Sequence, residues 1–343
     1  MQYGPIVISV NGYQLNQEIE ASILQHPLIG GVILFSNNYQ DVPQLTQLIT
    51  DIKTIAQNAN KEIMIMVDHE GGYVQRFRSG FTAAPAASVL GDIYDINPDT
   101  ALIYANQLGE TVGQELNSVG VDIILGPVVD IDSGNAVISG LDRAYHADPE
   151  VVTKIANAYI DGLQMSGIHP TLKHFPGHGA DIGDSHVTLP VDNRSWEELK
   201  TVDLVPFKNI IEDNPMIAVM PAHVIYNDVD PINTAGTSKI WLQDILRDEL
   251  NFEGVIISDC LSMTGAGNQS NVDKILQALE YGDLALLSHQ TPDEYLNILD
   301  TLAQQQFEWS TQSQQRVQLW LSSSQEIACV QAIPEVIVEP IVL

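Results

Sequence analysis

The 343-residue sequence predicts a single α/β domain, a (β/α)8 or TIM barrel, and three features carry that expectation. Short apolar runs rich in β-branched residues recur along the chain, as strands buried on both faces of a parallel sheet require. Longer polar stretches with helical spacing separate them. No Pro/Gly/Ser-rich linker, charge block or repeat of roughly 20–50 residues interrupts the alternation, so nothing in it marks a second domain within residues 1–343.

Taken in order, the runs fall at 6–10 (IVISV), 31–35 (GVILF), 63–67 (IMIMV), 121–125 (VDIIL), 169–173, 217–220, 254–258 (GVIIS) and 284–287. Eight such strands suit a closed barrel. Between them, 41–59, 99–118, 148–166, 196–213, 238–251 and 272–281 read as helices, and several open on Asp or Ser, where an N-cap side chain accepts from free backbone N–H groups. Beyond about residue 304 the chain is Gln-rich and then apolar (EVIVEPIVL), a C-terminal extension that is either packed or frayed.

Hydrophobic residues make up 45% of the chain, enough for a sizeable core. Lys and Arg number 14 against 44 Asp and Glu, for a formal net charge of −30. So few cations release few counterions, which argues against nucleic acid and anionic membrane surfaces as partners. The first residues, MQYGPIVISVNGYQL, have no basic n-region and an apolar run of only about five, unlike a secretion signal. No stretch approaches the roughly 20 apolar residues of a membrane helix. A soluble, cytoplasmic protein is therefore expected, and it is taken to be a monomer. Cys260 and Cys329 are far apart and have no CxxC partner, which suits a reducing compartment better than a disulfide framework.

In a βα barrel the loops at the C-terminal ends of the strands build the active site, so the polar residues directly after each apolar run carry the functional signal. After 63–67 comes Asp68-His69-Glu70-Gly71-Gly72-Tyr73-Val74-Gln75-Arg76-Phe77. After Leu172 comes Lys173-His174-Phe175-Pro176-Gly177-His178-Gly179, continuing through Asp181 to Asp184-Ser185-His186. The run at 254–257 ends in Ser258-Asp259-Cys260-Leu261-Ser262-Met263. A carboxylate at the end of a buried strand is costly to desolvate unless something pairs with it or uses it. Asp68 and Asp259 both stand there, although each could instead cap the helix that follows. His174, His178 and His186 could be loop hydrogen-bonders. With Asp184 they could also ligate a metal at the barrel mouth, but their spacing is neither HExxH nor a paired HxH.

Together these clusters resemble glycoside hydrolase family 3, and within it the single-domain bacterial β-N-acetylhexosaminidases of peptidoglycan recycling. The resemblance rests on GYQL and HPLIGGVILFSNNY, then VDHEGGYVQRF, LGPVVDI, LDRAYHADPEVV, KHFPGHG, DSH, MPAHVIY, SDCLSM and ALEYGD, and it covers the chain to about residue 290. It implies a retaining exo-β-N-acetylglucosaminidase that needs no cofactor or metal. Its substrates would be muropeptides in which β-linked N-acetylglucosamine precedes 1,6-anhydro-N-acetylmuramic acid.

Carried over residue by residue, the resemblance implies Asp259 as nucleophile, His186 as general acid/base and Asp184 as the carboxylate that orients and polarises it. Asp68, Arg76, Arg143, Lys173 and His174 would bind the sugar's hydroxyls and acetamido group. His178 would be structural, and His223 would line the pocket. Three positions depart from the family's pattern, which usually has an acidic residue at Cys260, Gln at His69 and Arg at Tyr73. None of them is a position to which the resemblance assigns catalysis, but a thiol beside Asp259 makes a cysteine nucleophile a rival reading. The other rivals are phosphorolysis through the same glycosyl-enzyme, a metal-dependent hydrolase, and a sugar-binding protein without turnover. A histidine acid/base needs little tuning, because its unperturbed pKa of about 6.5 already lies near working pH.

Overall fold

The computed structural model describes residues 3–16, 19–178, 180 and 189–327, with side chains to residue 322. Strands Ile6–Ser9, Ile29–Leu34, Met64–Val67, Ile123–Ile124, His169–Phe175, Ala218–Pro221 and Ala285–Leu287 form one curled sheet. Every pairing within it is parallel. Ala285–Leu287 lies at one edge, beside Ile6–Ser9, and Ala218–Pro221 lies at the other.

The run at 254–258 is not a regular strand, yet isolated parallel bridges join Val219 to Ile256 and Ile257 to Leu284. This segment therefore stands between the two edges. The Val219 N–H donates to the Val255 carbonyl at 2.8 Å, and the Ser258 N–H donates to the Leu284 carbonyl at 2.9 Å. Gly254 permits the approach, since a Cβ there would lie 2.0 Å from the Ile217 carbonyl oxygen.

Side chains alternate across the ladder as strand geometry dictates. Ile6, Ile8, Val32, Leu34, Ile65, Val67, Leu172, Val219 and Ile256 face outward into the core beneath the helices. Val7, Ile33, Met64, Met66, Ile123, Ala218, Met220, Val255, Ile257, Leu284 and Leu286 pack together inside the curl. Lys173 sits two residues beyond Thr171 on the strand His169–Phe175, and all three of Thr171, Leu172 and Lys173 are buried.

Helices Val42–Asn58, Pro98–Ser118 and Pro149–Met165 are capped by Asp41, Asn97 and Asp148. The second therefore begins before the expected Asp99, because Asn97 accepts from the Thr100 N–H and Pro98 loses no helical hydrogen bond in the first turn. The stretch expected as one helix at 196–213 is divided into Trp196–Glu198, a π-helical turn Leu199–Asp203 and Leu204–Asp213. Pro206 has no N–H to return to the Val202 carbonyl, which accounts for a widened turn just there. Ile240–Glu249 is also π-helical. Helices Ile19–Gln25, Ala87–Ile96, Asn271–Tyr281 and Pro292–Gln304 complete the alternation. No helix among the described residues is long and apolar enough to cross a membrane.

The C-terminal extension is packed as far as its side chains are described. Val317 and Trp320 of helix Thr311–Ile327 join the inner cluster, where the Trp320 ring lies 5.1 Å from that of His169. Asp283, fully buried, ties this helix to the ladder. It accepts from Arg247 at 2.7 Å, from Arg316 at 3.1 Å and from the Ile256 N–H at 2.9 Å.

Removing a buried anion strands its partners, at a cost of about 3–5 kcal/mol. Asp283→Ala is accordingly expected to lose that much in urea unfolding. Arg316→Ala, whose partner keeps Arg247, should lose about 1 kcal/mol; equal losses would remove Asp283 from its central place.

Candidate active site

A cleft of about 610 Å3 opens at the C-terminal ends of the strands, and Asp68, Arg76, Arg143, Lys173, His174 and Asp259 all line it. Its apolar floor comes from the inner series, with Ile33, Leu125, Met220 and Leu286.

Asp68 follows the strand Met64–Val67 directly, and His69–Gly71 then pairs with Val74–Gln75 in a short antiparallel hairpin. Gly71 turns with φ of 93°, and a Cβ on it would meet the Pro85 carbonyl oxygen at 2.3 Å. Alternation along the hairpin puts Asp68 and Glu70 on the cleft side and His69 behind it. There His69 packs against Phe77 and Phe81, and burial, aided by Arg78 and Arg76, pushes its pKa down to about 4. It is a neutral packing side chain.

Lys173, only 2% exposed, is the hub of the polar wall. Its Nζ lies 2.8 Å from Asp68 Oδ1 and 2.7 Å from Glu70 Oε1. Arg76 donates to the other Asp68 oxygen at 3.1 Å. Arg143 forms a bidentate fork on Glu70, with Nε to Oε2 at 2.8 Å and Nη2 to Oε1 at 2.9 Å. Burial by itself would raise the Asp68 carboxyl, but Lys173 and Arg76 outweigh it and hold it below the ordinary value. Glu70 is also held well below its ordinary value, its burial outweighed by Arg143 and then Lys173. Burial likewise works against the Lys173 ammonium, and Asp68 and Glu70 keep it charged.

His174 lines the cleft beside Lys173, although neighbours on a regular strand point apart. The ladder slips between Lys173 and Phe175, which accommodates this. Asp130 holds the histidine: its Oδ2 is 2.7 Å from His174 Nδ1, and its Oδ1 accepts from the backbone N–H groups of His174 and His178 at 3.1 and 2.7 Å. The Val129 N–H donates to the Lys173 carbonyl at 2.9 Å, and this contact brings Asp130 alongside. Asn135 donates to the carbonyls of His178 and Ala180, so the start of the following loop is anchored through its backbone.

Asp259 closes the cleft from the bridged segment. Its Oδ1 accepts from the Cys260 N–H at 2.7 Å. Burial pushes its carboxyl up, yet His223, His174, the Cys260 N–H and Lys173 together hold it below the usual carboxylate value, so it is ionised at neutral pH. The Cys260 thiol lies 2.9 Å from Ser288 Oγ and 3.0 Å from Ser262 Oγ.

The structure thus brings together six of the residues named from sequence, while Asp184 and His186 lie outside the described residues. Two carboxylates were not among the site residues named from sequence. Glu70 could have been found by stepping two residues on from Asp68, and Asp130 as an acid within the apolar VVDI. His223 does not line this cleft; it reaches the site from behind, with Nε2 3.2 Å from the Cys260 carbonyl. Among the described residues no three His, Cys, Asp or Glu side chains form a metal-holding group.

The model of the family described as glycosyl hydrolase family 3 N terminal domain matches residues 7–319. A beta-hexosaminidase of Tolumonas auensis is 44% identical over 300 residues, which span 87% of this chain and 86% of that protein. One of Nitrosomonas eutropha is 42% identical over 303 residues, 88% and 85% of the two chains. The crystal structure of NagZ from Neisseria gonorrhoeae in complex with N-trifluoroacetyl-D-glucosamine matches with a TM-score of 0.83 at 38% identity, covering 95% of this chain and 94% of that one.

Because the folded-state pKa of Glu70 lies below its ordinary value of 4.5, its stabilisation is complete above that pH and is lost as pH falls below it. Glu70→Gln should therefore be less stable than the parent at pH 7 by about 3–5 kcal/mol. Its stability should also decline less steeply between about pH 5 and pH 3. Urea unfolding at three pH values checks this, and parallel declines in parent and variant would refute it.

Proposed function

The chain belongs to glycosyl hydrolase family 3 and is a glycoside hydrolase of the beta-hexosaminidase type, and from that premise we propose that it is a retaining exo-β-N-acetylglucosaminidase. Its substrates on this reading are muropeptides in which terminal β-linked N-acetylglucosamine precedes 1,6-anhydro-N-acetylmuramic acid. The reading includes a closed (β/α)8 barrel forming a single domain over 1–343, a monomer, and a cytoplasmic place in cell-wall recycling. The bridges from Val219 to Ile256 and from Ile257 to Leu284 support closure.

One observation carries the mechanism: an ionised, buried carboxylate faces the same cleft as a wall of fixed, charge-assisted donors. Retaining hydrolysis needs a carboxylate beneath the anomeric carbon and a second group that protonates the leaving oxygen. The Cys260 N–H occupies Asp259 Oδ1, which leaves Oδ2 as the attacking oxygen. Its attack forms the glycosyl ester as the bond to the leaving oxygen breaks and that oxygen takes a proton from His186. In the second step His186 removes a proton from water, the water oxygen bonds to the anomeric carbon, and Asp259 departs as carboxylate. Asp184 would steady the imidazolium between the two steps.

Lys173, Arg76, Arg143 and His174 would orient the sugar through its hydroxyls and acetamido group, with Asp68 accepting from a hydroxyl. Positive charge develops on the sugar in the transition state, so unpaired cations here would oppose the reaction. Asp68 and Glu70 offset two of the three fixed cations at contact distance, and ionised Asp259 in the same cleft offsets the third, leaving their donors directional without a large net field.

Incubation with N-acetylglucosaminyl-1,6-anhydro-N-acetylmuramyl peptide should release N-acetylglucosamine. Indifference to that substrate together with good cleavage of plain β-glucosides would overturn the recycling reading.

Asp259→Asn should lower kcat by at least about 1,000-fold with an unchanged thermal melt, because it removes the covalent step. Cys260→Ser should stay within about tenfold of the parent. The reverse order would make the thiol the nucleophile.

A further inference from the structure

Behind the nucleophile lies a second cleft, of about 490 Å3. No described residue lines both clefts, and the segment that carries Asp259 divides them: Asp259, Cys260, Ser262 and Met263 face the first, Leu261 the second.

Two buried polar groups line this second space with hydrogen-bonding capacity to spare. His223 is 2% exposed, and its Nε2 pairs with the Cys260 carbonyl at 3.2 Å. That contact requires the proton on Nε2, so Nδ1 of the neutral ring is an acceptor. Burial holds the ring below its ordinary pKa against the pull of Asp259, and Nδ1 has no partner. Gly236 has no side chain to crowd it, and even an added Cβ would stay 3.7 Å from that nitrogen.

Lys274 is 8% exposed and donates to the Leu261 carbonyl at 3.1 Å. An ammonium has three donors, and among the described residues no carboxylate forms a salt bridge with this one. Of the cleft's own acids, Asp230 accepts from the N–H groups of Ile232 and Asn233, from Asn233 Nδ2 and from Ser238 Oγ, and Glu280 is exposed to solvent.

A buried acceptor without a donor and a buried cation without an anion are both costly, and one small molecule relieves both. We propose that the second cleft binds a small hydroxy carboxylate, with its carboxylate on the Lys274 ammonium and its hydroxyl donating to His223 Nδ1. Binding there touches the two side chains that grip the consecutive carbonyls after Asp259.

Calorimetric titration of the full chain with lactate, propionate and 1,2-propanediol at constant ionic strength separates the two contacts, and this readout does not depend on the glycosidase reading. Lactate should bind, propionate about tenfold more weakly, and propanediol undetectably. Lys274→Gln keeps an N–H for the Leu261 carbonyl and removes the charge; it should lose lactate binding while still melting cooperatively. His223→Phe should erase the difference between lactate and propionate. Absence of lactate binding at roughly 50 mM, undiminished binding in folded Lys274→Gln, or binding of inorganic phosphate in place of lactate would overturn the proposal. So would competitive displacement of lactate by N-acetylglucosamine, which would place it in the first cleft.

Discussion

The site depends on keeping one lysine charged at full depth. Lys173 ends its strand inside the curl, where an isolated ammonium would shed its proton, and Asp68 and Glu70 at 2.8 and 2.7 Å prevent that. Two carboxylates on one ammonium leave an excess of one negative charge, which Arg76 and Arg143 more than offset from either side. The five members of this cluster come from three stretches: Asp68, Glu70 and Arg76 from the strand end and the hairpin after it, Arg143 from the loop before helix Pro149–Met165, and Lys173 from the strand His169–Phe175. The cluster therefore forms only when these stretches are all in register, and once formed it limits how far any of them can move.

Asp259 exploits the same arrangement from the opposite wall. Burial alone would favour its protonated form, which could not fill the role proposed for it. The groups that reverse this come from separate elements: His223 after Ala218–Pro221, His174 and Lys173 on His169–Phe175, and the N–H of Cys260. The apolar floor beneath is what makes those interactions effective, because water that would screen them is excluded. The proposed nucleophile and the proposed sugar-binding wall thus share one electrostatic environment, in which the protonation state of each buried group is set by its neighbours.

Parallel strands buried on both faces leave continuous apolar runs, and for that reason the strand positions were legible in the sequence before any pairing was known. Element ends were less so. Asn97 capping ahead of Asp99, and the turn widened before Pro206, depend on local hydrogen bonds that residue spacing does not reveal. Within the site, Asp68 and Asp259 announce themselves as acids at the ends of buried runs. Glu70 and Asp130 do not, because what defines them is the fork of Arg143 and the ring of His174, residues 73 and 44 positions away in the chain. The pairing of Lys173 with His174 on one cleft was legible only through the family motif, since alternation alone would separate them. His223 was placed on the correct loop but on the wrong side of residues 259–261, a matter of a few ångströms that only packing decides.

The distribution of cations follows from the overall charge. With 14 Lys and Arg against 44 acids, most acids have no cation to pair with, and exposed pairs such as Lys200–Glu249 and Lys239–Asp244 contribute little. The buried positions are different, because a carboxylate or carbonyl cluster there has no water to substitute for a missing cation. Lys173 and Arg143 serve the cleft, Arg247 serves Asp283, and Lys61 serves the carbonyls of Leu24, His26 and Ile29. The distant acids would repel an anionic substrate at low salt, but at physiological ionic strength their reach shrinks to about 8 Å. At that range a ligand entering the first cleft meets the paired charges of Asp68, Glu70, Arg76, Arg143 and Lys173 before the surface charge, so these placed pairs, and not the net charge of the chain, set the local field.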